Sequence, residues 1–370
     1  MTADTVGGVW NYAIELAAAL SPYDVEVTIA TMGAPLTDAQ WREARARDNV
    51  DVVESTYRLE WMPDPWADVQ FAGEWRLDIA SDRKPDIIHL NGYAHATLDW
   101  NAPTCVVAHS CVLSWWRSVN GEAAPPEWSQ YREVVSVGLH RADVVVAPSH
   151  AMLAALDLEY GHIPGARVVY NGRNAARFPR AQKEPLVLSV GRLWDEAKNV
   201  GVLEAVAPML GWPVYIAGTT EPPGGGLAYV TRGQSARYLG MLDSTELATW
   251  MARASIYALP ARYEPFGLSV LEAALAGCAL VLGDIRSLRE LWDGAALFAP
   301  PTDVSALRDA LRSLIADDAL RATVATACHR RALDFTTQRM ADGYMTVYRD
   351  LLDTAQYGQR HASRRTVCVS

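Results

Sequence analysis

The stretch Arg262-Tyr-Glu-Pro-Phe-Gly-Leu-Ser-Val-Leu-Glu272, continued by Ala-Ala-Leu-Ala-Gly277-Cys-Ala-Leu-Val-Leu-Gly-Asp284, decides the fold. Gly267 stands where a helix begins. Leu271, Ala274 and Leu275 follow at helical spacing, and Gly277 is a natural stop. Residues 278–282 are an unbroken apolar run, which reads as a buried strand. Two carboxylates bracket the helix start, Glu264 before it and Glu272 inside it. A helix N-terminus presents free N–H groups and about half a positive charge, which suits a phosphate. Carboxylates beside it suit the hydroxyls of a sugar or a ribose. The combination points to a nucleotide-sugar site. A plainer alternative exists: Ser269 and Glu272 have Ser-x-x-Glu spacing, so Glu272 could close a capping box.

Outward from this stretch, helix and strand alternate over the whole chain. Gly7-Gly8 opens an amphipathic helix over residues 9–20. Strands are expected at 25–31, 50–54, 86–90, 104–108, 143–148 and 167–170, with helices at 40–47, 69–79 and 128–141. The rhythm restarts after a polar linker. Strands at 186–190, 213–217, 236–239 and 256–259 alternate with helices at 200–210 and 245–254, and helices at 304–315, 320–332 and 335–352 follow. This pattern predicts two doubly wound parallel sheets. The expected units are 1–175, joined by the terminal helix 335–353, and 184–334, with 354–370 as a disordered tail. Only Met1 and a few residues precede Gly7, so the first strand is expected to be truncated and the sheet to lack a central strand, which suggests a true start further upstream.

The length of 370 residues suits two domains. The net charge of −10 argues against a nucleic-acid binder that works by phosphate neutralisation. Five scattered cysteines without a CxxC pair look like reduced, mostly buried thiols rather than a disulfide framework or a zinc site. No apolar run reaches membrane-spanning length and no signal peptide is visible, so the expected location is the cytoplasm. Nine of the thirteen tryptophans lie before residue 130, which concentrates aromatic surface in the first half.

The string from Glu264 to Asp284 resembles the Glu-x7-Glu motif of the retaining glycosyltransferases of family 4, which have the GT-B fold. The resemblance runs from Gly7 to the C-terminal helix. It implies two Rossmann-like domains facing across a cleft, with the last helix crossing back to the first. It further implies transfer of a sugar from a nucleoside diphosphate donor to a hydroxyl acceptor, with retention of configuration. A UDP-sugar is the favoured donor, with GDP- or ADP-sugars as alternatives. The acceptor would be a sugar, a lipid-linked sugar or a small molecule, and family members on lipid-linked acceptors work at the inner membrane face. No cofactor or metal is implied, and the chain contains no Asp-x-Asp.

Carried over residue by residue, Gly7 and Gly8 face the donor phosphates. Gly191-Arg192-x5-Lys198 matches the diphosphate clamp, where fixed cations stabilise charge on the leaving group. Their alternative is pairing with Asp195 and Glu196. His109 ends a strand at the carboxyl edge and matches the histidine near the reacting centre, where it could donate to a sugar hydroxyl or to the phosphate. Glu264 sits beside the donor sugar, Glu272 binds the ribose, and N–H groups near Gly267 and Leu268 hold oxygens. His95, Trp115 and Trp116 are acceptor candidates, with loop packing as the alternative for the tryptophans; His89 reads as structural. Two other readings of the fold stay open: a nucleotide-sugar epimerase or sugar phosphorylase, and a non-catalytic nucleotide-sugar binder.

Overall fold

The computed structural model describes residues 1–5, 7–222 and 235–365, with side chains through residue 355. In the first half the strands are β1 (Thr2–Asp4), β2 (Val27–Met32), β3 (Val50–Val53), β4 (Ile88–Leu90), β5 (Thr104–Val107), β6 (Val144–Ala147) and β7 (Arg167–Val168). In the second half they are β8 (Glu184–Val190), β9 (Val214–Ala217), β10 (Ala236–Gly240), β11 (Ala254–Leu259), β12 (Ala279–Gly283) and β13 (Leu297–Ala299). The ladders run β3-β2-β1, β4-β5-β6-β7 and β10-β9-β8-β11-β12-β13, with neighbouring strands parallel. Asn91, just past β4, ties the first two ladders together. Its backbone N–H donates to Thr2 Oγ1 at 2.8 Å and its side-chain N–H to the Thr2 carbonyl at 2.5 Å.

Both halves therefore wind outward in two directions from an inner strand pair, β1/β4 and β8/β11. Loops diverge at the carboxyl ends of such a pair and leave a crevice between them. The unbroken apolar run of residues 278–282 is explained by β12, which is buried along its whole length between helices.

Two expectations need correction. The first strand is short, but the sheet does not lose it. Thr2, Ala3 and Asp4 pair with Ala30, Thr31 and Met32, and all three are buried. The β2 ladder on one side and Asn91 on the other hold three residues in place. The stretch expected to be a disordered tail begins inside a helix, Thr337–Arg365. Its polar residues include no proline, and Ala, Gln and Arg are good helix formers without an apolar face. Residues 366–370 lie outside the described residues.

The terminal helix does cross back. Its Met340, Ala341, Tyr344, Val347, Tyr348 and Leu351 share one core with Trp10, Ile14 and Ala17 of the helix Gly8–Leu20. The outgoing and returning chains meet where they cross. Arg173 bridges Thr336, its N–H donates to the Phe335 carbonyl at 3.1 Å, and a Cβ on Gly172 would lie 2.1 Å from the Thr336 carbonyl oxygen. Cys105, Cys111, Cys278 and Cys328 are buried free thiols; Cys368 lies outside the described residues.

Candidate active site

A cleft of about 1540 Å³ opens between the carboxyl ends of the two sheets. Its walls include every site residue expected from the sequence: Gly7, Gly8, His95, His109, Trp115, Trp116, Arg192, Lys198, Glu264, Gly267, Leu268 and Glu272.

Two helix N-termini converge there. Gly7, at φ 115°, caps the helix Gly8–Leu20, and Gly267, at φ 84°, caps the helix Leu268–Leu275. Both angles lie in the left-handed region that favours glycine. Neither cap has a side chain that accepts the first N–H groups, which stay available to a ligand. A Cβ on Gly7 would lie 3.9 Å from Arg192 Nη1, and one on Gly8 3.5 Å from Leu268 Cδ1, so the two termini face each other across the cleft. The capping box suggested by Ser269 and Glu272 does not form, because both residues lie inside the helix and Gly267 is its N-cap.

The cations are placed by the turn after β8. Lys198 Nζ meets Glu264 Oε2 at 2.6 Å, and both side chains are mostly buried. Arg192 Nη2 donates to Asp195 Oδ2 at 2.8 Å. Of the two alternative pairings weighed from sequence, the one between Arg192 and Asp195 is present, while Lys198 meets Glu264 rather than Glu196. An ammonium has three N–H donors and a guanidinium five, so each cation keeps donors for a phosphate. Asp195 also accepts Trp115 Nε1 from across the cleft at 2.9 Å and the Ala197 N–H at 3.0 Å. Burial pushes the Asp195 carboxyl up, but Arg192, Lys198 and these hydrogen bonds outweigh it and hold the carboxyl below its usual range.

Glu272 is buried and meets Arg173 Nη2 at 2.7 Å. Burial raises its carboxyl, and Arg173 offsets part of the rise.

On the opposite wall Asn91 organises the histidines. Its amide nitrogen donates to Thr2, so its Oδ1 is the acceptor for His109 Nε2 at 2.8 Å and His89 Nε2 at 3.2 Å. His109 therefore carries its proton on Nε2, and Nδ1 is a lone pair. Burial drops its pKa to about 3, so the ring is neutral. In this tautomer the Nδ1 lone pair is an acceptor, whereas the role expected from the sequence was that of a donor. The ring packs edge-on against Tyr12, centroids 4.4 Å apart. His89 bonds Tyr348 Oη at 2.6 Å and is structural, as read from sequence.

The acceptor candidates turn out differently. His95 is buried and its Nε2 meets the Val69 carbonyl at 2.8 Å, so it is a satisfied core histidine at the cleft margin. Trp115 has its indole N–H on Asp195, and Trp116 packs beside it with ring centroids 5.9 Å apart. Sequence reasoning missed Asn91, Arg173 and Tyr263, and named Asp195 only as a pairing partner of the cations. The Tyr263 hydroxyl accepts the Cys111 N–H at 3.0 Å and lies 2.9 Å from Ser114 Oγ, joining the motif loop to the helix Val112–Asn120. Its position beside Glu264 was the available signal.

Residues 6–177 match the profile of glycosyltransferase family 4, and residues 184–317 that of glycosyl transferases group 1. A glycogen synthase of Mycobacterium tuberculosis is 30% identical over 323 residues, covering 79% of this chain and 74% of that protein. The chain belongs to the family 4 (group 1) glycosyltransferases. Solved structures extend the likeness of this glycosyltransferase to its whole fold. Sucrose-phosphate synthase from Thermosynechococcus elongatus has a TM-score of 0.79 at 20% identity, covering 95% of this chain and 96% of that one. HepE of Anabaena in complex with UDP-glucose has a TM-score of 0.73 at 17% identity, covering 95% and 100%. The fold is GT-B. Among the described residues, no helix is long and apolar enough to cross a membrane.

Proposed function

We propose that this glycosyltransferase moves a sugar from a nucleoside diphosphate sugar to a hydroxyl acceptor, with retention of configuration and without a metal. The observation that carries the reading is the convergence of two helix N-termini across the cleft, with Arg192, Lys198 and Glu264 beside them. Residues 184–334 supply the donor side; residues 1–175 with 335–353 supply the acceptor side. The diphosphate sits against Gly7, Gly267, Arg192 and Lys198, where fixed positive charge stabilises the leaving group as the C1–O bond breaks. Glu264 faces the donor sugar and supports positive charge at C1. The acceptor oxygen bonds to C1 on the face the diphosphate leaves, and a departing phosphate oxygen takes its proton. His109 Nδ1 accepts a sugar hydroxyl. The cationic groups supply the charge that a metal would otherwise carry. The UDP-glucose complex of the structurally similar HepE favours a uridine donor.

The test is transfer in excess EDTA from α-configured UDP-glucose to an acceptor panel, with the product anomer read by proton NMR. An α-linked product formed in EDTA supports the reading. A β-linked product, or activity that returns only with added Mg²⁺ or Mn²⁺, contradicts it.

A further inference from the structure

Arg173 lies outside the sequence motifs, yet it touches both halves of the molecule. It sits in the outgoing strap and is buried, 4% exposed. The bridge to Thr336 and the bond to the Phe335 carbonyl fix its backbone, and the guanidinium lies over the Phe178 ring with 5.3 Å to the centroid. One nitrogen, Nη2, meets Glu272 Oε1 at 2.7 Å; the other, Nη1, lies 3.3 Å from Glu15 Oε1 on the helix Gly8–Leu20. Glu15 also takes Arg177 Nη1 at 2.8 Å, and Arg177 reaches Glu43 at 2.9 Å. Glu272 Oε2 has no partner among the described residues, and Glu272 lines the cleft.

We propose that Arg173 is a positioning residue for donor recognition: from the strap it holds the Glu272 carboxylate by one oxygen, so that the other is presented to the ribose hydroxyls of the donor nucleotide. The proposal rests on the donor-site reading above. Three features carry it. The contact is one-sided, on Oε1, and leaves Oε2 for a hydroxyl donor. The cluster Glu272, Glu15 and Glu43 against Arg173 and Arg177 holds one more carboxylate than guanidinium, so a bound group that donates hydrogen bonds suits it better than a further anion. A guanidinium addresses two separated carboxylates through two different nitrogens in a fixed planar geometry, which a lysine ammonium does not reproduce. Because Glu15 belongs to the helix headed by Gly7 and Gly8, the same side chain sets ribose recognition and ties it to the helix that faces the phosphates.

The experiment compares calorimetric binding of UDP, GDP and ADP with that of their 2′,3′-dideoxy counterparts, in EDTA. The wild type should prefer one ribonucleotide over its dideoxy form by at least about tenfold. Arg173→Gln should bring the ratio below about threefold and leave the dideoxy affinity within about threefold, since Arg192 and Lys198 still hold the diphosphate. Arg173→Lys should keep part of the preference. In a Glu272→Gln background, which also removes the buried charge if Arg173→Gln alone fails to fold, Arg173→Gln should change the ratio no further. If Glu272→Gln abolishes the preference while the Arg173 variants retain it, or weaken both ligands equally, the proposal is overturned and the donor site stands. A wild-type ratio near one in all three pairs overturns the assignment of Glu272 to the ribose, and with it the role of Arg173.

Discussion

The two sheets share one strand order around their inner pairs, yet their crevices are built from different chemistry. Past β8 and β11 the wall is ionic: Arg192 with Asp195, Lys198 with Glu264. Past β4 and β5 it is mostly uncharged and aromatic: Asn91, a neutral His109 against Tyr12, and the tandem Trp115 and Trp116, with Glu60 held by the Tyr93 and Ala94 N–H groups. The ionic wall suits a charged leaving group; the neutral wall selects by shape and hydroxyl pattern. The difference teaches why one side of such a site is readable. Charges gathered at strand ends have few structural uses, whereas aromatic rings pack as readily as they bind.

Substitutions can break this contrast. The largest effect is expected on the ionic wall. Lys198→Ala should lower turnover about 10²- to 10³-fold and weaken nucleoside diphosphate binding at least about tenfold, by steady-state kinetics and calorimetry; unchanged affinity would remove Lys198 from the site. Glu264→Gln should lower turnover about 10²-fold with diphosphate affinity changed only a few-fold, since it acts on the reacting sugar. Wild-type turnover in that variant would end its role.

The neutral wall makes a prediction about pH. Burial holds His95 at about 3 and His89 well below its usual value, so both are neutral when folded. Unfolded histidines take up protons near pH 6.5. Between these values the unfolded state binds more protons, so stability falls as pH is lowered through 6.5. Each should contribute about 1.4 kcal/mol of loss between pH 7.5 and 5.5, read from urea midpoints of the wild type against His95→Gln. An equal pH slope in the two proteins would contradict the buried neutral assignment. The smallest effect is across the cleft. Trp115→Phe removes one hydrogen bond to Asp195, which keeps Arg192 and the Ala197 N–H, so transfer should fall only a few-fold. A loss above about a hundredfold would make Trp115 a substrate-binding residue and sharpen the acceptor side.

The legibility of the molecule follows the same division. The stretch from Glu264 to Asp284 disclosed its helix, glycine stop and buried strand because each has a local signature. Gly7 and Gly267 were readable because their φ angles require glycine. Helices Val112–Asn120 and His150–Tyr160 went unnoticed. The first is short, and its tandem tryptophans read as loop aromatics. Asn91 follows the strand expected at 86–90 with no local signal of its role, and only the tertiary structure shows it placing β1 and both histidines. Arg173 was invisible for another reason. Its partners Glu15 and Glu272 are far from it in sequence, and no local pattern announces a contact at that separation. The three-residue β1 falls below the length at which alternation can be seen.

The central claim is that the cations of the ionic wall, together with the two helix N-termini, hold the donor diphosphate without a metal. Its most direct test is calorimetry of UDP, GDP and ADP with wild-type protein and Lys198→Ala, all in EDTA. The account predicts metal-free binding of one nucleotide by the wild type and at least about tenfold weaker binding by the variant. Binding that appears only with a divalent cation, or that is indifferent to Lys198, would contradict it.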